Sequence, residues 1–76
     1  MVHEYIINVM QIEELQTIQN RAALDKIFIR AHTMITGGGT VVLVRQYADG
    51  RSDKFDQFTT EEDLAAYKNT VYKYLE

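Results

Sequence analysis

Hydrophobic spacing changes several times along the chain, and each change marks an element. Residues 3–9, His-Glu-Tyr-Ile-Ile-Asn-Val, are rich in β-branched and aromatic side chains and predict a strand. Residues 12–35 carry helical spacing, but its phase shifts. Ile12, Leu15, Ile18 and Ala22 form one stripe; Leu24, Ile27, Phe28, Ala31 and Ile35 form another. At about 100° per residue the two stripes point to nearly opposite sides. One straight helix on one core does not do that. A break near Gln19-Asn20 resolves it, with Asn20 capping a helix over 21–36. The alternative is a continuous helix buried on two sides. With the break, residues 11–18 form a short helix or extend the first strand.

The run Thr36-Gly37-Gly38-Gly39-Thr40 ends the helical pattern. Gly37 is the expected left-handed terminator. The surplus of glycine predicts a close backbone approach or a mobile tip. Thr40 to Tyr47 reads as a strand, and the unbroken Val41-Val42-Leu43-Val44 predicts cover on both its faces. Asp49-Gly50 turns the chain back. A two-residue turn sets Arg45 against Lys54, whereas a three-residue loop, Ala48-Asp49-Gly50, sets Arg45 against Asp53 and Leu43 against Phe55. Opposed charges favour the second register.

Residues 52–58 are polar enough for an edge strand. Thr59-Thr60-Glu61-Glu62-Asp63 opens a last helix with a threonine cap and acids in its first turn. Leu64, Val71 and Leu75 line its inner face, flanked by Tyr67 and Tyr74, and the pattern runs to the C-terminus. Tyr72 points away from that face as an exposed aromatic contact. The expected fold is a single α+β domain over residues 1–76. Its order is β-α-β-β-α, with a three-stranded, mainly antiparallel sheet packed with helices.

Length and composition fit this picture: 76 residues make one domain, and 46% apolar with 25% charged is a globular balance. The chain has no cysteine, which excludes disulfides and cysteine-ligated zinc. No basic region with an apolar stretch behind it stands at the start, and no apolar run is long enough to cross a membrane. The expectation is a cytoplasmic protein without a membrane partner.

Candidate chemistry is sparse. Phosphate-cradling loops run from strand into helix, and here the glycines run from helix into strand, with no Gly-Lys-Ser/Thr. His3 and His32 have no carboxylate or second histidine at ligand spacing. Ser52 lacks the context of an activated nucleophile. These readings predict no catalytic activity, no cofactor and no metal.

Exposed apolar positions point instead to association. Ile29 lies opposite the Leu24, Ile27 and Ala31 side of its helix. With Ile12, Leu15, Ile18, Ala22 and Tyr72 it composes a candidate interaction surface, and a second copy or another protein is the expected partner. The alternative is a nucleic-acid accessory role for Arg45, Tyr47, Arg51 and Lys54 on the hairpin. A net charge of −3, with the eight bases spread along the chain, counts against it.

Overall fold

The computed structural model describes residues 3–75. Six elements follow in order: β1 (Glu4–Asn8), α1 (Val9–Thr17), α2 (Arg21–Thr36), β2 (Thr40–Gln46), β3 (Ser52–Phe58) and α3 (Glu61–Tyr72). The α+β class stands; the order gains one helix over the expected β-α-β-β-α, because most of residues 11–18 belong to the short helix α1 (Val9–Thr17), and the sheet is mixed rather than mainly antiparallel. The expected break is present. Gln19 takes a left-handed φ of 57°, and the Asn20 side chain accepts from the Ala23 N–H at 3.1 Å. Asn8 caps α1 and Thr60 caps α3 in the same way. The last helix stops at Tyr72 rather than running on, and a turn over 73–75 follows it.

The sheet is ordered β1-β2-β3 and is mixed. β1 runs parallel to β2, with Glu4 beside Thr40 and Asn8 beside Val44. β2 and β3 form an antiparallel hairpin through the three-residue loop. Gly50 turns that loop with a φ of +90°, and Arg45 faces Asp53 as expected. Leu43 does not face Phe55, however. A bulge between Leu43 and Val44 leaves Phe55 unpaired and sets Leu43 against Asp56.

A parallel pair needs a crossover, and α1 with α2 supplies it. Strand alternation then decides the core. Ile7, Val41, Leu43 and Phe58 project to one face and are buried with Ile12 of α1, Leu24, Phe28, Ala31 and Ile35 of α2, and Leu64 and Val71 of α3. The second stripe and the first two members of the first, Ile12 and Leu15, therefore meet one core, because the turn at Gln19 reorients the second helix, while Ile18 and Ala22 stay exposed. The other face of the sheet carries no helix among the described residues, yet the expected cover on both sides of β2 holds at Val41, Val42 and Leu43, all buried. Val42 lies there outside the core cluster, screened by its neighbours Ile6 and Gln57. Ile6 itself is 59% exposed.

The three glycines have three different jobs. Gly37 closes α2 with an ordinary φ of −83°. The left-handed residue is Gly38, at φ +89°, one position later than expected. Its N–H donates to Ile35 and that of Gly39 to Met34, the paired bonds of a Schellman terminus. A Cβ on Gly39 would lie 2.8 Å from the His3 carbonyl oxygen and 2.4 Å from the Met34 sulfur. That close approach lets the Thr40 N–H reach the same carbonyl at 2.9 Å and start the parallel ladder.

Three substitutions separate these roles in urea unfolding. Gly39→Ala should cost about 2 kcal/mol, because a backbone carbonyl and a packed methionine must both shift. Gly38→Ala should cost about 1 kcal/mol for its left-handed backbone. Gly37→Ala should stay within about 0.5 kcal/mol, because its Cβ meets only ordinary contacts. Equal losses at all three positions would contradict this division.

Candidate interaction surface

On the outer side of α2 an exposed apolar side chain stands between two grooves; another groove, of about 490 Å³, lies beside the exposed Met10 and Tyr47 between α1 and the hairpin. The inner stripe of α2 is buried, so Lys26, Ile29, Arg30 and Thr33 are left on the outside. Ile29 is 65% exposed and forms a ridge between two grooves. One, of about 310 Å³, runs between α2 and α3 and is lined by Phe28, Ile29, His32, Glu61, Leu64 and Lys68. The other, of about 480 Å³, lies between α2 and β1 and is lined by His3, Tyr5, Ile29, Arg30, Met34 and Gly37. A smaller hollow of about 250 Å³ continues it past Tyr5 and Arg30 toward Lys26, Ile27 and Leu15.

In the first groove His32 Nε2 lies 3.0 Å from Glu61 Oε1, with both side chains more than half exposed. The pair joins α2 to the first turn of α3. Exposed pairs of this kind contribute less than about 1 kcal/mol. Thr33 is the only hydroxyl lining the groove. Among the described residues no group of three or more histidine, aspartate or glutamate side chains could hold a metal ion.

The six residues expected to form one surface are divided. Ile12 is 1% exposed and belongs to the core, and Leu15 is partly buried against it. Ile18, Ala22 and Ile29 remain exposed. Tyr72 is not a free contact. It packs edge-on against Phe28 at 5.8 Å, and its hydroxyl donates to Asp25. Arg21 and Lys68 lie 5.1 and 5.3 Å from its ring. The exposed aromatic of α3's end is Tyr74 instead, while Tyr67 stacks between Phe28 and Phe58.

Burial pushes the Tyr72 hydroxyl up to about 12, helped by its hydrogen bond to Asp25 and that carboxylate's charge, with Arg21 opposing. Burial also raises Tyr67, reinforced by the charge of Glu13.

The hairpin bases are largely occupied. Arg45 Nη2 meets Glu13 Oε1 at 2.6 Å and Arg51 Nε meets Asp49 Oδ2 at 2.7 Å. Arg51 also lies 5.1 Å from the Tyr47 ring, and Lys54 donates to Gln57. Arg45 reaches the helix side, whereas Lys54 pairs with Val44 on the open side. They do not make one basic ribbon. No helix among the described residues is long and apolar enough to cross a membrane.

Comparison with protein-family models, with curated proteins and with solved structures finds no match for this chain. The geometry of α2 and its two grooves therefore carries the functional reading. Sequence reasoning singled out Ile29 but missed what surrounds it. His32 and Glu61 are 29 positions apart and Tyr5 and Arg30 are 25 apart, so no local spacing announces either pair.

A pH prediction follows from Tyr72. Its folded pKa lies above the ordinary 10.0, so folded and unfolded chains are equally protonated below pH 10. Between about 10 and 12 the unfolded chain loses this proton first, and stability falls as pH rises. Tyr72→Phe should remove that share of the alkaline loss in urea unfolding followed across the window. Asp25→Asn should shrink it by lowering the folded pKa. An unchanged pH slope in both variants would show that Tyr72 titrates normally.

Proposed function

We propose that this domain is a non-catalytic protein–protein interaction module whose contact face is the outer side of α2 around Ile29. The observation that carries the reading is the coincidence of a 65% exposed isoleucine with apolar grooves on both its sides. A ridge between grooves is a shape that packs against another element. Large apolar side chains exposed beside such concave surfaces mark interaction sites more often than isolated ones do. Ala22 adds further exposed apolar surface at the start of the same helix, and the exposed Ile18 lies just before it at the end of α1. The partner is a protein, either a second copy or another chain. A cytoplasmic setting suits the absence of cysteine from the sequence.

A nucleic-acid role for Arg45, Tyr47, Arg51 and Lys54 is the weaker reading. Two of the three bases are engaged by acids of the same chain, and base binding by the hairpin would have to break those pairs. For catalysis, the His32–Glu61 pair lies open to water and lacks the enclosed, oriented setting that proton transfer uses.

The test is Ile29→Glu. The wild-type chain is expected to associate with itself in sedimentation equilibrium, or to retain a protein from a cell extract when immobilised. Ile29→Glu should weaken either association by at least about tenfold with an unchanged circular dichroism spectrum and unfolding midpoint. Association that survives the substitution in a folded variant would remove α2 as the contact face.

A further inference from the structure

The two edges of the sheet are built differently. β3, Ser-Asp-Lys-Phe-Asp-Gln-Phe, carries three charges and a bulge at Phe55. Both features hinder pairing with another strand. β1, Glu-Tyr-Ile-Ile-Asn, pairs in regular register on its inner side and has a single charge at its first residue. Its outer side has no strand neighbour.

The direction of its free backbone groups follows from one bond. The His3 carbonyl accepts from the Thr40 N–H at 2.9 Å. Alternation then turns the N–H and C=O of Tyr5 and Ile7 toward β2, and those of Glu4 and Ile6 outward. The larger groove lies along this edge. Tyr5 and Arg30 line both it and the hollow that continues it, and Lys26 stands at the far end. Among the described residues neither Lys26 nor Arg30 makes an ion pair.

We propose that the free edge of β1 is a strand-addition site for an extended peptide segment of another protein, whose carboxylate side chain lies under α2 against Lys26 and Arg30. This rests on the reading of α2 as the contact face and names the partner's chemistry. An added strand lies about 4.8 Å beyond β1 and bonds to Glu4 and Ile6. Its side chains on the helix side enter the groove beside Tyr5, Met34 and Arg30. Those on the other side lie next to the exposed Ile6.

Charge selects the occupant. A second copy paired antiparallel about Ile6 would bring Lys26 and Arg30 of one chain against those of the other, a like-charge contact. A neighbour's β3 would bring acids, but its bulge and charges oppose pairing, and such head-to-tail contacts do not close. A separate acidic strand meets neither objection.

The probe is a fluorescein-labelled peptide of about ten residues alternating valine and glutamate, which presents carboxylates on one face and apolar groups on the other. Its control has lysine in place of glutamate. Anisotropy should show binding of the glutamate peptide alone, weakening with added salt. Arg30→Glu should raise its Kd by at least about tenfold. Ile6→Pro should do the same while keeping the fold, because the N–H it removes faces outward. In the wild-type complex the Ile6 amide should exchange more slowly with solvent.

Equal affinity for both peptides, or binding by neither, overturns the proposal. So does binding that both variants retain, or a dimer of the chain alone that already protects the Ile6 amide. Loss of peptide binding in Ile29→Glu but not in Ile6→Pro or Arg30→Glu overturns strand addition and leaves the α2 contact face standing. Peptide binding by neither strand nor helix face, together with unimpaired association of Ile29→Glu in sedimentation, overturns both.

Discussion

The parallel pairing of β1 with β2 is the constraint on which the rest depends. Parallel neighbours cannot be joined by a tight turn, so the chain between them must cross the sheet. Here α1 and α2 make that crossing, and α3 packs beside α2. All three helices then share one face, and their buried side chains meet Ile7, Val41, Leu43 and Phe58. The pairing begins where Gly39, lacking a side chain, passes the His3 carbonyl. A Schellman terminus at Gly38 delivers the chain to that point. The register of the sheet, the side on which the helices lie and the exposure of β1 all trace to this short stretch.

The same constraint produces the candidate surface. Because β2 is the central strand, β1 becomes an edge, and α2 lies over the side chains that β1 turns toward the helices. Grooves open on each side of α2 where it leaves α3 and where it leaves the sheet edge. Ile29 stands on the ridge between them. The acids and bases are divided accordingly. Asp53 and Asp56 guard β3, and Glu61, Glu62 and Asp63 suit the first turn of α3. Lys26 and Arg30 are left along the outer groove. A net acidic chain thus presents a local basic strip beside an open strand.

The locally encoded parts of this structure were legible in the sequence. Asn20, Thr60, the glycine run and Asp49-Gly50 act through hydrogen bonds and dihedrals of adjacent residues. They therefore marked the helix break, the helix starts and the hairpin loop. The charge argument at Arg45 and Asp53 also set the hairpin register near the loop. It failed past Val44, because the bulge at Phe55 leaves no local mark in the residues beside it. The parallel direction of β1 was illegible for a similar reason. A strand's own composition does not reveal which neighbour it meets or which way it runs. The apolar run at 41–44 suggested two covered faces, and Val42 is buried, beside its strand neighbours Ile6 and Gln57 rather than under a helix. At the candidate site, Ile29 stood out through helical periodicity alone. Tyr72 was misplaced because Asp25, 47 positions away, takes up its hydroxyl. The pairing of His32 with Glu61, and the meeting of Tyr5 and Arg30 along one groove, exist only once the crossover has formed.

Everything on this surface depends on β1 being a bare, parallel-paired edge. Amide hydrogen exchange of the purified chain, read residue by residue by NMR at a concentration where it is monomeric, tests it most directly. An alternation along β1 is expected, with Tyr5 and Ile7 protected by β2 and Glu4 and Ile6 exchanging freely. Protection of Glu4 and Ile6 in the free chain would show an edge already covered. Unprotected Tyr5 and Ile7 would show that the parallel pairing itself is absent.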